Sequence, residues 1–339
     1  MRIAHSSKLK IFMSFILFMA FVCQNNVDAQ SVKNKKKKRK TEEVVKPKKP
    51  KKSIATLTKS SKKIEGLFTI FQDTVSGDLK MLIKKEQLDK DYIYFSQIAD
   101  GVTEAGKFRG AYSGSSIFHI KKYFNKIDFY VPNTSFFFDE NNPISRASEA
   151  NISDAIVSSS KILFADDKND EYLIDATGLF LSEELTRIKS PRFPGQSPLA
   201  FSLGRFDKKK SKVEEIKNYL ENTNIKTEYV FSNPSVLNGG SNAVTDGRNV
   251  SIKVFHTFMN MPENDYTMRM DDPRVGYFLT ETNDMTTTST VNYRDLIHRW
   301  KLIKKDSNAE LSEPVTPITW WIENTTPLEW RETIKEGVL

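Results

Sequence analysis

The residues of this chain that could carry chemistry are few and scattered. Histidine occurs at His5, His119, His256 and His298. A zinc-binding helix supplies two imidazoles four residues apart on one face, and no two of these approach that spacing. Cys23 is the only cysteine, so a chain that loses it to processing has no disulfide, no thiol nucleophile and no thiolate to hold a metal. Gly101, Gly106 and Lys107 have the spacing of a phosphate loop, whose backbone N–H groups cradle phosphates and whose next hydroxyl holds magnesium. Phe108 cannot supply that hydroxyl, and Glu104 would repel the phosphates. A glycine-rich loop between strands is the expected structure.

Asp166, Asp167, Asp170 and Glu171 could collect calcium, but the run lacks the central glycine and distal glutamate of a calcium loop, and Lys168 sits in its middle. It reads as a solvated hairpin turn. His256 shares strand parity with Val250, Ile252, Val254 and Phe258, which makes it a core or interface histidine rather than a ligand. Asp271, Asp272 and Arg274 could line an active-site rim; the plainer reading is a turn entering a strand, with Arg274 paired to an acidic neighbour and Gly276 allowing close backbone approach. Gly110 and Gly114 flank Ser113 one residue off the spacing of a nucleophile elbow. No catalytic, cofactor-binding or metal-ligating residue is assigned.

The elements that would position such residues begin late in the chain. Residues 1–29 read as a signal peptide, with Arg2, Lys8 and Lys10 ahead of an apolar run at 11–23 and a small-residue cleavage site at 27–29. The run is short for a membrane span. Lipid attachment at Cys23 is the rival reading, disfavoured by the bulk of Val22. The chain is thus expected to be exported, to the periplasm, the cell surface or beyond.

Residues 30–63 read as a disordered, Lys-rich tail, since like charges repel and little apolar surface offsets ordering entropy. This tail governs the charge. Of the net +8, residues 33–63 supply +13 and the leader +2, leaving −7 for residues 64–339. The tail could hold an anionic surface polymer, or act as a solvated spacer. No aromatic residue punctuates it to stack on bases, so nucleic acid is not an expected partner, and a nuclear address conflicts with the leader.

From residue 64 the periodicity is mainly that of strands, at 67–72, 79–83, 92–98, 117–124, 127–131, 161–165 and 172–176, with a helix-like stretch over 143–159. After a Pro/Gly-rich loop at 190–198, Ser211 and Glu214 form a capping-box pattern for a helix carrying Val213, Ile216 and Leu220. Strands are expected at 225–231, 250–259, 275–280, 291–303 and 318–322. The fold class is α+β, mostly antiparallel β-sheet with a few helices. It divides into a β-rich region at 64–190, a second α+β region at 191–313, and a final unit at 314–339. In that unit Thr326 is placed to cap a helix with Pro327 at its first position and Glu329 as capping-box partner. Leu328, Trp330, Ile334 and Val338 would form its apolar face, and so short a helix needs a tertiary partner.

The strand PITWWI at 317–322 and the helix PLEWRETIKEGV at 327–338 carry a resemblance. Together with GLFTIF at 66–71, LDKDYIYFSQ at 88–97, NPISR at 142–146, IDATGLFL at 174–181, DPRVGYF at 272–278 and RWKL at 299–302, they resemble secreted bacterial zinc-dependent metalloproteases of metzincin-like type. The resemblance covers residues 64–339 and lies in their uncharacterised N-terminal regions, of the DUF5117/DUF5118 type, up to the opening of the catalytic domain. In those relatives the zinc site is a His-Glu-x-x-His helix with a third histidine. No such motif occurs here, so no zinc ligand or catalytic residue carries over.

The resemblance implies a non-catalytic N-terminal region of an exported zinc-metallopeptidase-like protein, truncated before its zinc site and inactive alone. Its cofactor, zinc, would belong to full-length relatives, and its partner would be a peptidase catalytic domain in cis or in trans. A different class stays open: a free-standing secreted binding or adhesion protein using its β-rich body, its basic tail and aromatic residues such as Tyr123, Phe124 and Tyr130 to hold anionic surface polymers. An enzyme whose catalytic residues converge only in space also stays open.

Overall fold

The computed structural model describes residues 52–263 and 265–338. The signal peptide expected at 1–29, and the part of the Lys-rich tail up to residue 51, lie outside the described residues. In chain order the elements are α1 (Ile54–Leu57), β1 (Ser61–Ile64), β2 (Thr69–Asp73), β3 (Leu79–Lys84), β4 (Asp91–Asp100), β5 (Tyr112–Tyr123), β6 (Lys126–Val131), β7 (Phe136–Phe137), β8 (Ala155–Asp166), β9 (Glu171–Asp175), α2 (Thr177–Phe180), β10 (Arg205–Phe206), β11 (Lys212–Asn218), β12 (Asn222–Ser232), β13 (Asn249–Asn260), β14 (Leu279–Asp284), β15 (Tyr293–Ile297) and α3 (Leu328–Val338).

Twelve strands form one antiparallel sheet in the order β1-β2-β3-β9-β8-β6-β5-β4-β13-β12-β10, with β11 also paired to β12. It curves as a half-barrel. Strands from 64–190 and from 191–313 belong to this same sheet, joined where β4 pairs with β13. The concave face follows from alternation: β13 turns Val250, Ile252, Val254, His256 and Phe258 inward, and β4 turns Tyr92, Tyr94, Ser96 and Ile98 inward. Phe258 is the hub of an aromatic cluster, its ring 5.1 Å from Phe118, 5.3 Å from Tyr94, 5.7 Å from Phe180 and 6.1 Å from Phe68. The short helix α2 plugs this face with Leu179 and Phe180.

The two ends of the sheet are tied together beside the β11–β12 turn. Asn218 Nδ2 donates to the carbonyls of Ile64 and Phe68 at 3.0 and 2.7 Å, and Leu67 N donates to Tyr219 O at 2.6 Å. Gly66 lies so close to Asn218 that a Cβ there would stand 2.1 Å from Asn218 Oδ1, which is why the position takes glycine.

Several expectations are corrected. The helix expected from Ser211 is strand β11. Its apolar residues, Val213 and Ile216, are three apart because a bulge at Glu214 inserts one residue, so both face the core despite breaking strand alternation. Ser211 caps nothing; its hydroxyl donates to Asp207 O and accepts from Val230 N. The helix-like stretch 143–159 holds only a 3-10 turn, Pro143–Ala147, before β8 begins at Ala155. Pairing with β6 buries Ser158 and Ser160 and overrides local helical tendency there.

The last part of the stretch expected to be disordered, from Ser53 to Lys63, is ordered. Ser53 caps α1, whose Ile54 and Leu57 pack on Phe71, Leu82 and Leu173, while β1 adds to β2. The strand expected at 275–280 lies at Leu279–Asp284, the one at 291–303 is confined to Tyr293–Ile297, and 318–322 forms no strand. A strand needs a hydrogen-bonded neighbour, and that apolar run has none among the described residues.

Candidate docking surface

The core ends at β13. Among the described residues every buried apolar side chain lies between Phe68 and Phe258, and beyond 260 only Asp284 is buried. Residues 261–338 are nevertheless rich in large apolar groups. They hold all four tryptophans of the chain, Trp300, Trp320, Trp321 and Trp330, each more than half exposed and Trp321 90 % exposed. Exposed apolar surface of this extent marks an interaction site.

This arm has its own internal order. β14 pairs antiparallel with β15 and parallel with β7, giving a small three-stranded sheet. Its anchor is Asp284, which receives Thr286 N and Oγ1 and lies 2.8 Å from the Arg294 guanidinium, itself stacked 3.9 Å from the centre of the Phe137 ring. Hydrogen bonds from Thr286, then the charge of Arg294, hold the Asp284 carboxyl below its usual range. Arg299 stacks on Tyr266 and donates to Thr267 O. Lys301 pairs with Asp265, and beyond it the contacts are local: Lys305 N to Glu313 O, Val315 N to Ile303 O, and Arg331 to the carbonyls of Thr326 and Asn324. In α3, Leu328, Trp330, Ile334 and Val338 are all exposed, so the helix forms with its apolar stripe unpartnered. Asp271 Oδ1, Asp295 Oδ1 and Arg299 Nε are shielded from solvent without a hydrogen-bond partner.

The residues weighed for chemistry stand apart. His119 is on β5, its Nδ1 3.6 Å from Asp91 and its ring against Tyr130. His298 follows β15 and pairs with Thr280 Oγ1 at 2.8 Å. His256 is fully buried, bonded to Tyr94, Thr227 and Tyr229. Among the described residues no group of three or more His, Cys, Asp or Glu side chains is placed to hold a metal ion. With each imidazole committed to a different neighbour, these residues do not fit a zinc centre, and no zinc-dependent step is derived for them.

The 101–108 segment is a loop with a 3-10 turn, Thr103–Ala105, ending at a left-handed Gly106, and Glu104 pairs with Ser241. Asp166 closes the β8–β9 turn by accepting from Lys168 N and Asn169. Asp272 and Arg274 pair with each other at 2.6 Å in an exposed turn. Around Gly276 a Cβ would meet nothing, so the close approach expected there is absent. The arm as a surface leaves no signal in the local pattern: its apolar residues have the period of strands, and only α3 has a stripe that by itself calls for a partner.

No curated protein and no solved structure matches this chain. The family described as a domain of unknown function, DUF5117, matches residues 110–305, running from the start of β5 through the half-barrel and into the arm. That match spans more than half of the sequence, and the chain belongs to the DUF5117 family.

Proposed function

We propose that this chain is a non-catalytic region of an exported zinc-metallopeptidase-like protein. In this reading residues 261–338 dock on a peptidase catalytic domain, supplied in cis or in trans. One observation carries the proposal: a segment holding every tryptophan of the protein contributes no apolar side chain to its core. A buried tryptophan removes roughly 150–250 Å² from water, so four of them approach the roughly 800 Å² per side of a stable interface. Tryptophan is also the residue most enriched among interface hot spots.

The resemblance supplies the partner. In the metalloproteases that the blocks at 272–278 and 314–339 resemble, these segments lead into and open the catalytic domain, so the surface they would meet is that domain. The family match reaches Lys305, which places the first half of the arm within the DUF5117 domain.

The test is co-elution of the purified chain with the separately purified catalytic domain of a metalloprotease bearing the same blocks. A complex that disappears in a Trp320→Ala/Trp321→Ala variant supports the proposal. Independent elution of the two proteins at micromolar concentration overturns it.

A further inference from the structure

The tip of the β5–β6 hairpin, far along the sheet from the arm in chain order, carries a second and independent feature. Phe124 is 80 % exposed and sits at φ 47°, in the left-handed region that disfavours bulky side chains. A glycine would serve this two-residue turn at lower cost, so the sequence keeps an aromatic ring at the tip despite the backbone. Tyr123, also exposed, packs edge-on against it at 4.9 Å.

Around the tip the outer face of the sheet is basic. Lys126 stands opposite Tyr123 on one side and opposite Lys161 of β8 on the other. Like charges directly opposed across a ladder destabilise it, so this pair is another local cost. Lys121 is on the same face, whereas Lys122, next along the strand, points to the opposite face with its Nζ 5.5 Å from the centre of the Tyr172 ring. Among the described residues Lys121, Lys122 and Lys161 make no ion pair. The carboxylate directly opposite Lys121, Asp128, is buried, accepting from Ser159 and lying 3.5 Å from Lys126. In the neighbouring β8–β9 turn, Asp166 is engaged by its own turn and Asp170 by Lys85.

We infer that this hairpin is a membrane-contact site for anionic phospholipid, with Phe124 entering the interfacial region and Lys121, Lys126 and Lys161 meeting phosphate groups. The tyrosine faces argue for lipid over a sugar polymer. Lys121 Nζ lies 4.8 Å from the Tyr130 ring centre and Lys126 Nζ 5.6 Å from that of Tyr123, so these rings hold ammonium groups where a sugar would stack. The remaining free apolar group is a single protruding ring, suited to insertion.

The test is sedimentation of the full chain with vesicles of phosphatidylcholine alone or with phosphatidylserine, comparing wild type with Phe124→Gly and Lys161→Glu. Other basic and apolar segments are common to all three proteins, so the ratios isolate the hairpin. Wild type is expected to bind the anionic vesicles preferentially, with each substitution lowering partitioning about tenfold. Both variants should keep or raise the wild-type melting temperature, since one removes a strained φ and the other a like-charge pair. Equal binding to both vesicle types, unchanged partitioning in the variants, or binding to an anionic polysaccharide such as heparin without binding to vesicles overturns the inference.

Discussion

Tyr94 donates its hydroxyl proton to Nδ1 of His256 across 2.9 Å, and the direction of that bond is set on the far side of the ring. Tyr229 gives its only proton to the carbonyl of Phe180 at 2.8 Å, so toward His256 Nε2, 3.1 Å away, it must accept. The proton of the neutral imidazole is therefore on Nε2, shared with Thr227 Oγ1 at 3.2 Å. Three strands, β4, β12 and β13, and helix α2 meet around this satisfied network. It makes His256 a structural histidine held neutral.

Burial pushes the His256 pKa down to about 3, against about 6.5 when unfolded. As pH falls below 6.5 the unfolded chain takes a proton that the folded one refuses. Stability present above that pH is then lost at about 1.4 kcal/mol per pH unit toward pH 3. Urea unfolding between pH 7 and 5, before most carboxylates titrate, should show this slope in wild type and lack it in His256→Gln. The variant should also lose about 1–3 kcal/mol at pH 7 from the disturbed network. Parallel slopes in the two proteins would contradict the assignment.

The bulge at Glu214 makes an unusual deletion tolerable. Without Glu214, Val213 and Ile216 remain on the core face, now at ordinary two-residue alternation, and the main loss is the carboxylate that bridges Lys253 at 2.6 Å and Lys226 at 3.1 Å. Those pairs are partly exposed, so the deletion should cost no more than about 1–2 kcal/mol. Deleting Lys226 from the middle of β12 instead moves half of that strand's core residues to the outer face, and should abolish cooperative unfolding. Thermal melts followed by circular dichroism compare the two deletions.

Two aromatic substitutions should separate core from arm. Phe258→Ala removes the hub of the aromatic cluster and should destabilise by about 3–5 kcal/mol. Trp321→Ala, at a residue 90 % exposed, should leave unfolding within about 0.5 kcal/mol of wild type. A large loss in the second protein would mean that the arm packs on the half-barrel.

How much of this was legible depends on whether neighbours agreed with local pattern. β13 alternates strictly, so the inward position of His256 followed from period alone. β11 misled because a bulge converts a two-residue period into a three-residue one, which is the spacing of a helix. The helical reading of 143–159 failed because tendency is weak beside the pairing offered by β6. Residues 318–322 have the composition of a buried strand without a partner strand. The tight association of Gly66 with Asn218, which ties the sheet ends, joins segments some 150 residues apart and left no local signal.

The central claim is that the arm is a docking surface, and its tryptophans report on it directly because none lies elsewhere. The free chain should emit as exposed indole and be readily quenched by iodide. Titration with the catalytic domain of a metalloprotease bearing the same blocks, its own tryptophans replaced by phenylalanine, should shift that emission to the blue and protect it from quenching with saturable, one-to-one stoichiometry. Emission and quenching that stay unchanged throughout the titration would contradict the account.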